Sequence, residues 1–160
     1  MVRPSPLALD VTNGGQIPYS QTHQEELDAM GTAENKKLVQ DAFAAWTRGE
    51  GNAVFNLLAD DVHWTVIGST PVSRTYMSKR EFLDGAVKPL GEKIAGAIQP
   101  TVRDVTADSD KVIVQWDGRA TGRNGTLYNQ TYCWVMRVAD GKVREGTAYL
   151  DTELISQLWK

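Results

Sequence analysis

Chemical capacity concentrates in one short run of the chain, Val114-Gln115-Trp116-Asp117-Gly118-Arg119. In an extended strand alternate residues share a face, so Gln115, Asp117 and Arg119 point together, opposite Val114, Trp116 and Gly118. A carboxylate beside a guanidinium suits general acid–base chemistry. Asp117 would exchange the proton, while Arg119 and Gln115 would orient a substrate or steady developing negative charge. A buried arginine neighbour lowers an aspartate pKa and burial raises it, so the spacing leaves both directions open. The alternative is a structural ion pair at a pocket rim, or a polar sheet face turned to solvent. A second alternating set is Gln130, Tyr132 and Trp134, in which the Tyr132 phenol either donates to a carbonyl oxygen or sits in the core with a satisfied hydroxyl. Other reactive types are sparse. His23 and His63 lie far apart with no motif around either, and Cys133 alternates away from Tyr132 as a small buried hydrophobe would. No spacing of His, Cys and carboxylates suggests a metal centre, and no cofactor is expected.

Composition narrows the class of partner. Apolar residues make up 41% and charged residues 23% of 160, ordinary values for one globular domain. The net charge is −3 with no basic stripe, which argues against a nucleic-acid surface. No window approaches the 18 or so consecutive apolar residues of a transmembrane helix. The first residues lack the continuous apolar core of a signal peptide. With one cysteine there is no internal disulfide, so a cytoplasmic location is expected.

Residues 1–33 read as an N-terminal arm, rich in Pro, Gly, Ser, Thr, Asn and Gln, in which Leu7, Leu9 and Ile17 would pack if it docks. Only Thr22–Met30 suggests a short helix there, with Thr22 as N-cap and Glu25 at the capping-box position. Residues 34–160 form the domain. Leu38, Val39, Ala42, Phe43 and Trp46 recur at spacings of three and four, which predicts an amphipathic helix ending near Gly49. A second short helix is predicted over Ala53–Ala59, then a strand over Val62–Ile67. Ser78 and Glu81 then open a third helix that runs through Ala86 and towards Pro89. From Thr101 the chain reads as strands, with hairpin turns at Arg123-Asn124-Gly125 and Asp140-Gly141, and a last helix follows Asp151. Helices first and a meander afterwards predict an α+β fold with a curved antiparallel sheet packed on three N-terminal helices.

Leu58-Ala59-Asp60-Asp61-Val62 after two helices, the pair Tyr128-Asn129, and Asp140-Gly141-Lys142-Val143 followed by Tyr149-Leu150-Asp151 carry a resemblance. In that order and spacing they resemble the SnoaL-like group of the nuclear transport factor 2-like (NTF2-like) superfamily, over roughly residues 34–160. The resemblance implies a cone whose bent sheet closes over helices to leave an internal pocket. Its members include polyketide cyclases, ketosteroid isomerases, epoxide hydrolases, dehydratases and plain binding proteins, so the pocket residues must decide the activity.

Matched position by position, the isomerase base falls on Val66, and its oxyanion-hole groups fall on Ala42 or Phe43 and on Thr131 or Trp134. The epoxide hydrolase Arg-x-Asp falls on Gln115-Trp116-Asp117, its second aspartate on Ala148, and its water-holding residues on Trp64 and Val66. Of these groups only Asp117 survives. The resemblance turns the Gln115-Asp117-Arg119 face inward and sets Gln130, Tyr132, Trp64, Val66, Ala148 and Leu150 around the pocket. The expectation is a binder of a small, apolar, oxygenated molecule. It is either a cofactor-free isomerase, cyclase or dehydratase with Asp117 and Arg119 as catalytic residues, or a non-catalytic ligand-binding or accessory protein. A homodimer through an apolar patch at Val114, Trp116, Trp134 or Tyr149 is also expected.

Overall fold

The computed structural model describes residues 19–160, with side chains from Gln21 onward, so the arm contacts expected of Leu7, Leu9 and Ile17 lie outside the described residues. The first described element is α1, a single α-helix of 29 residues over Tyr19–Thr47. It runs through Gly31 without a break, joining the two helical patterns that the sequence suggests on either side of residue 33. Its C-terminal half carries the apolar stripe: Val39 and Phe43 are fully buried, and α1 packs across the strands Ile94–Asp108 and Lys111–Gly122. Gly49, with φ +105°, takes the left-handed conformation that ends the helix.

A six-stranded sheet follows, in the order β2-β1-β6-β5-β4-β3. The strands are β1 (Leu58–Val66), β2 (Arg74–Tyr76), β3 (Ile94–Asp108), β4 (Lys111–Gly122), β5 (Leu127–Ala139) and β6 (Lys142–Leu150). All neighbours are antiparallel except β1 and β6, which run parallel, so the sheet is mixed rather than wholly antiparallel. The helix expected over Ala53–Ala59 shrinks to a 3-10 turn at Phe55–Leu57. Leu58 and Ala59 are drawn into β1, where Leu58 pairs with Val143 and both side chains are buried. β3 begins at Ile94, before Pro100, because it is an edge strand and a proline there sacrifices no ladder bond to a second neighbour.

The third helical stretch is α2 (Lys79–Phe82), a π turn (Leu83–Val87) and α3 (Lys88–Lys93) in continuous succession. Its start carries the expected Ser78–Glu81 pair in a shifted form: Ser78 Oγ accepts from the Glu81 amide at 3.1 Å, while Glu81 Oε2 accepts at 3.0 Å from the Met77 amide, one residue before the N-cap amide of a full capping box. The π turn has a local cause. Pro89 has no N–H to donate to the Gly85 carbonyl, which is left a share of the Tyr76 hydroxyl at 3.2 Å, the shorter bond of that hydroxyl going to the Val72 carbonyl at 2.7 Å. A short helix, α4 (Thr152–Gln157), closes the chain, capped by Asp151, whose carboxylate accepts from the Leu154 amide.

The hairpin turns differ. Asp140 and Gly141 both have positive φ, as the two-residue turn requires, but at Arg123-Asn124-Gly125 only Gly125 does. There the Asn124 side chain does the work. Its Oδ1 accepts from the Thr126 amide at 3.1 Å, and its Nδ2 donates to the Gln157 carbonyl at 2.8 Å, tying the hairpin to α4.

Candidate functional site: an aromatic cavity

Between the inner sheet face and the helices lies a cavity of about 290 Å³. The sheet supplies Trp64 and Val66 from β1, Ala148 and Leu150 from β6, Tyr132 and Trp134 from β5, and Trp116 from β4. Trp46 of α1, Phe55, Phe82, the π-turn residues Ala86 and Val87, and Ile155 of α4 complete the enclosure. The exposed lining residues Gly51, Asn52, Gly91, Gly96 and Ala97 mark where it opens, beside the start of β3, whose pairing with β4 slips between Ala95 and Gln99 around Gly96 at φ +87°.

Cross-strand register explains how the tryptophans meet. Trp64 lies opposite Gly146, Val66 opposite Ala148, and Ala148 opposite Trp134. Because β6 offers only Gly and Ala on this face, indoles from the strands on either side of it come together over the gap, with ring centres 5.0 Å apart at 81°. A Cβ at Gly146 would overlap the Trp64 ring. On the other side Trp134 stands edge-on to Trp116 at 5.1 Å, and Trp116 lies flat on Tyr132 at 4.1 Å. Such pairs contribute about 0.5–1.5 kcal/mol each beyond their burial, which gives the cavity a rigid wall.

The polar groups of this wall are few and specific. The Tyr132 and Tyr128 hydroxyls are 2.6 Å apart. Burial pushes both phenols up, Tyr132 well above its ordinary 10.0, so each stays neutral at physiological pH. The indole N–H groups of Trp64, Trp116 and Trp134 are buried and have no hydrogen-bond partner. A buried donor left unpaired costs about 1–3 kcal/mol. Asn52 adds an amide at the mouth, and the lining contains no carboxylate, imidazole or amine among the described residues.

Of the residues expected around a pocket, Trp64, Val66, Tyr132, Ala148 and Leu150 line this cavity. Gln130 faces inward and is buried but lies outside the cavity lining. Its amide is consumed by structure, donating to the Asp151 carbonyl at 2.9 Å and accepting from the Asp151 amide at 2.8 Å. The Gln115, Asp117 and Arg119 face requires correction, since it lies on the outer side of the sheet. Val112, Val114 and Trp116 of the same strand are buried at 0–1% exposure, so the apolar parity of β4 is the inner one. Directly opposed residues share a face, and Trp116 opposes Tyr132 while Asp117 opposes Thr131.

Outside, Asp117 is clasped by Arg103 at 2.7 Å and by the Thr131 hydroxyl at 3.1 Å. These bonds, Arg103 first, hold its carboxyl below the ordinary 3.8. It is the ion pair of the alternative reading, with Arg103 rather than Arg119 in direct contact. The apolar patch expected at Val114, Trp116, Trp134 or Tyr149 is corrected by the same parity. Val114, Trp116 and Trp134 are core, and of the four only Tyr149 is exposed. The residues that sequence reading missed are Trp46, Phe55, Phe82 and the indole donors. The signal for the indoles was present in the apolar parity of β4, where Trp116 shares a face with Val112 and Val114.

A bent mixed sheet closed by helices over an aromatic cavity defines an α+β pocket fold. The chain belongs to the SnoaL-like domain family, which matches residues 39–146, within the nuclear transport factor 2-like superfamily. Among solved structures, it is similar to a nuclear transport factor 2-like protein of Burkholderia thailandensis, with 26% identity, TM-score 0.68, and coverage of 79% of this chain and 97% of that one. A protein of Catenulispora acidiphila with a ketosteroid isomerase-like fold, solved in complex with trimethylamine, matches at 16% identity and TM-score 0.55 over 70% of this chain and 83% of that one. TerC, co-crystallised with polyporic acid, matches at 18% identity and TM-score 0.61 over 78% and 96%. No curated protein matches the chain. No described helix is long and apolar enough to cross a membrane.

Proposed function

We propose that this protein binds a small, largely apolar molecule in the cavity between sheet and helices. The observation that carries the reading is the cavity itself: about 290 Å³ walled by four tryptophans, a tyrosine and two phenylalanines. A cavity of this size lined by apolar and aromatic groups with a few fixed polar atoms is the usual form of a small-molecule site. The route through Asp117 as general base loses its geometry, because that carboxylate lies across the sheet and is already clasped by Arg103. Binding is therefore favoured over acid–base turnover by Asp117 and Arg119. A catalytic reading rests on Tyr132 alone, a neutral phenol backed by Tyr128, suited to donating a hydrogen bond to a carbonyl oxygen rather than to removing a proton.

The test is a cavity-filling variant. Ala97→Phe puts a ring at the exposed mouth of the cavity without disturbing the buried wall, and it should sharply weaken binding of an apolar fluorescent probe while the protein stays folded by circular dichroism. Unchanged probe affinity would refute the cavity as the site. A homodimer is part of the same reading. With Val114, Trp116 and Trp134 buried, it would use the outer sheet face, where Tyr149 is exposed. Light scattering showing a monomer at micromolar concentration removes it.

A further inference from the structure

We propose that the cavity takes single-ended ligands, molecules with an apolar body that enters first and one polar end group that stays at the opening beside Asn52 and Ala97. This rests on the reading of the cavity as a ligand site and goes beyond it by naming where the polar group of the ligand must lie. The lining divides by depth. Gly51, Asn52, Gly91, Gly96 and Ala97 are exposed and rim the opening, whereas Trp64, Ala86 and Ala148 are buried behind them.

The inner wall has no free polar group to offer. The Tyr132 hydroxyl is joined to that of Tyr128 at 2.6 Å. The nitrogens of Trp64, Trp116 and Trp134 are closed to water although the cavity has room for it, so they are turned into the packed wall. An oxygen or nitrogen carried into this region loses its water with nothing to replace it, which weakens binding by about fivefold or more for each such group. The opening is the reverse case. Asn52 is exposed there, and Trp46 is half-buried at the end of α1 that leads into it. The β3–β4 register passes from Ala95 against Thr121 to Gln99 against Arg119, so Gly96, Ala97 and Ile98 fall outside the ladder. β3 is the edge of the sheet, and no strand on its other side takes up their N–H and C=O groups. Donors and acceptors therefore stand together with water at the opening, while the interior is apolar. At about 30 Å³ for a group the size of water, about 290 Å³ takes an apolar body of about ten such groups.

The experiment titrates the full-length protein calorimetrically with the straight nine-carbon primary alcohol and with its isomer carrying the hydroxyl on the middle carbon. Composition is the same, and only the place of the polar group differs. The primary alcohol should bind about fivefold or more tightly. The carboxylate and the ammonium ion of the same chain test the end group. Because it stays in water, at least one of them should bind within about tenfold of the primary alcohol, whereas a charge taken inside would be excluded. Nuclear Overhauser contacts to alanine methyl groups give the direction of entry. The terminal methyl of the bound alcohol should touch Ala86 and Ala148, and its hydroxyl-bearing carbon should touch Ala97.

Equal binding of the two isomers, loss of both charged derivatives by more than tenfold, or contacts in the reverse direction overturns the inference and leaves the cavity reading intact. The same holds if the apolar fluorescent probe binds and none of the four chains does. Failure of the probe and of all four chains to bind, with the protein folded, overturns the cavity reading and the inference with it.

Discussion

Asp117 and Gln130 show how little a residue's type says about its role until its face is known. Asp117 has the chemistry of a general base but sits outside the cavity in a hydrogen-bonded pair with Arg103. Asp117→Asn should therefore leave probe affinity unchanged, measured by the same titration that defines wild-type binding. Its carboxyl should titrate below 3.8 by carbon NMR, chiefly because of Arg103. The sign follows: the pair contributes above the unfolded pKa, near 3.8, and is lost as pH falls through the depressed folded value. Gln130 is the reverse case, a buried amide that reads as a ligand group and serves instead as a staple from β5 to the N-cap of α4. Gln130→Leu keeps the volume and orphans the Asp151 backbone groups. A loss of about 1–3 kcal/mol is expected in urea denaturation.

Elements set the shape of the cavity through their smallest residues. β6 carries Gly146 and Ala148 where larger side chains would hold Trp64 and Trp134 apart. Gly146→Ala forces the Trp64 ring to move, so a destabilisation of about 1–3 kcal/mol is expected, together with altered tryptophan fluorescence. The helix α1 offers the opposite substitution. Gly31 sits inside the helix with nothing near the position a Cβ would take. Gly31→Ala should raise stability by about 0.5–1 kcal/mol, read as a higher melting temperature with unchanged probe binding. If Gly31→Ala left the melting temperature unchanged, the first turns of α1 would not be folded cooperatively with the rest. The π turn between α2 and α3 acts similarly, since Tyr76 holds Gly85 while Ala86 and Val87 face the cavity.

At the scale of the whole molecule the core and the cavity wall are one aromatic cluster, and its titration reports on global folding. Tyr128 and Tyr132 keep their protons beyond the ordinary 10.0, mainly because burial penalises the phenolate. Above pH 10 the unfolded chain then binds fewer protons than the native one, so stability is intact below about pH 10 and falls as pH rises beyond it. Ultraviolet titration, compared between wild type and the Tyr128→Phe and Tyr132→Phe variants, should show Tyr128 and Tyr132 ionising only as the fold opens, in step with loss of near-ultraviolet circular dichroism. Free ionisation of these two before unfolding would contradict the enclosed pair.

Much of the fold was legible in the chain itself. The spacing of Val39, Ala42, Phe43 and Trp46, the Ser78–Glu81 pair, the Asp140-Gly141 turn and the order of short motifs depend on local chemistry, and local chemistry is written in order along the sequence. The family and the pocket residues Trp64, Val66, Tyr132, Ala148 and Leu150 followed from that order. The inward face of β4 did not. A strand offers two faces of equal geometry, and in β4 the acid–base types of the polar parity suggest one inner face while the apolar parity of Val112, Val114 and Trp116 suggests the other. Only the register of β4 on β5, Trp116 against Tyr132 and Asp117 against Thr131, settled which side chains share the cavity. The parallel pairing of β1 with β6 brought Trp64 beside Gly146, and that contact joins residues more than eighty positions apart. The meeting of the indoles therefore belongs to the tertiary structure, because it depends on distances that no local pattern encodes.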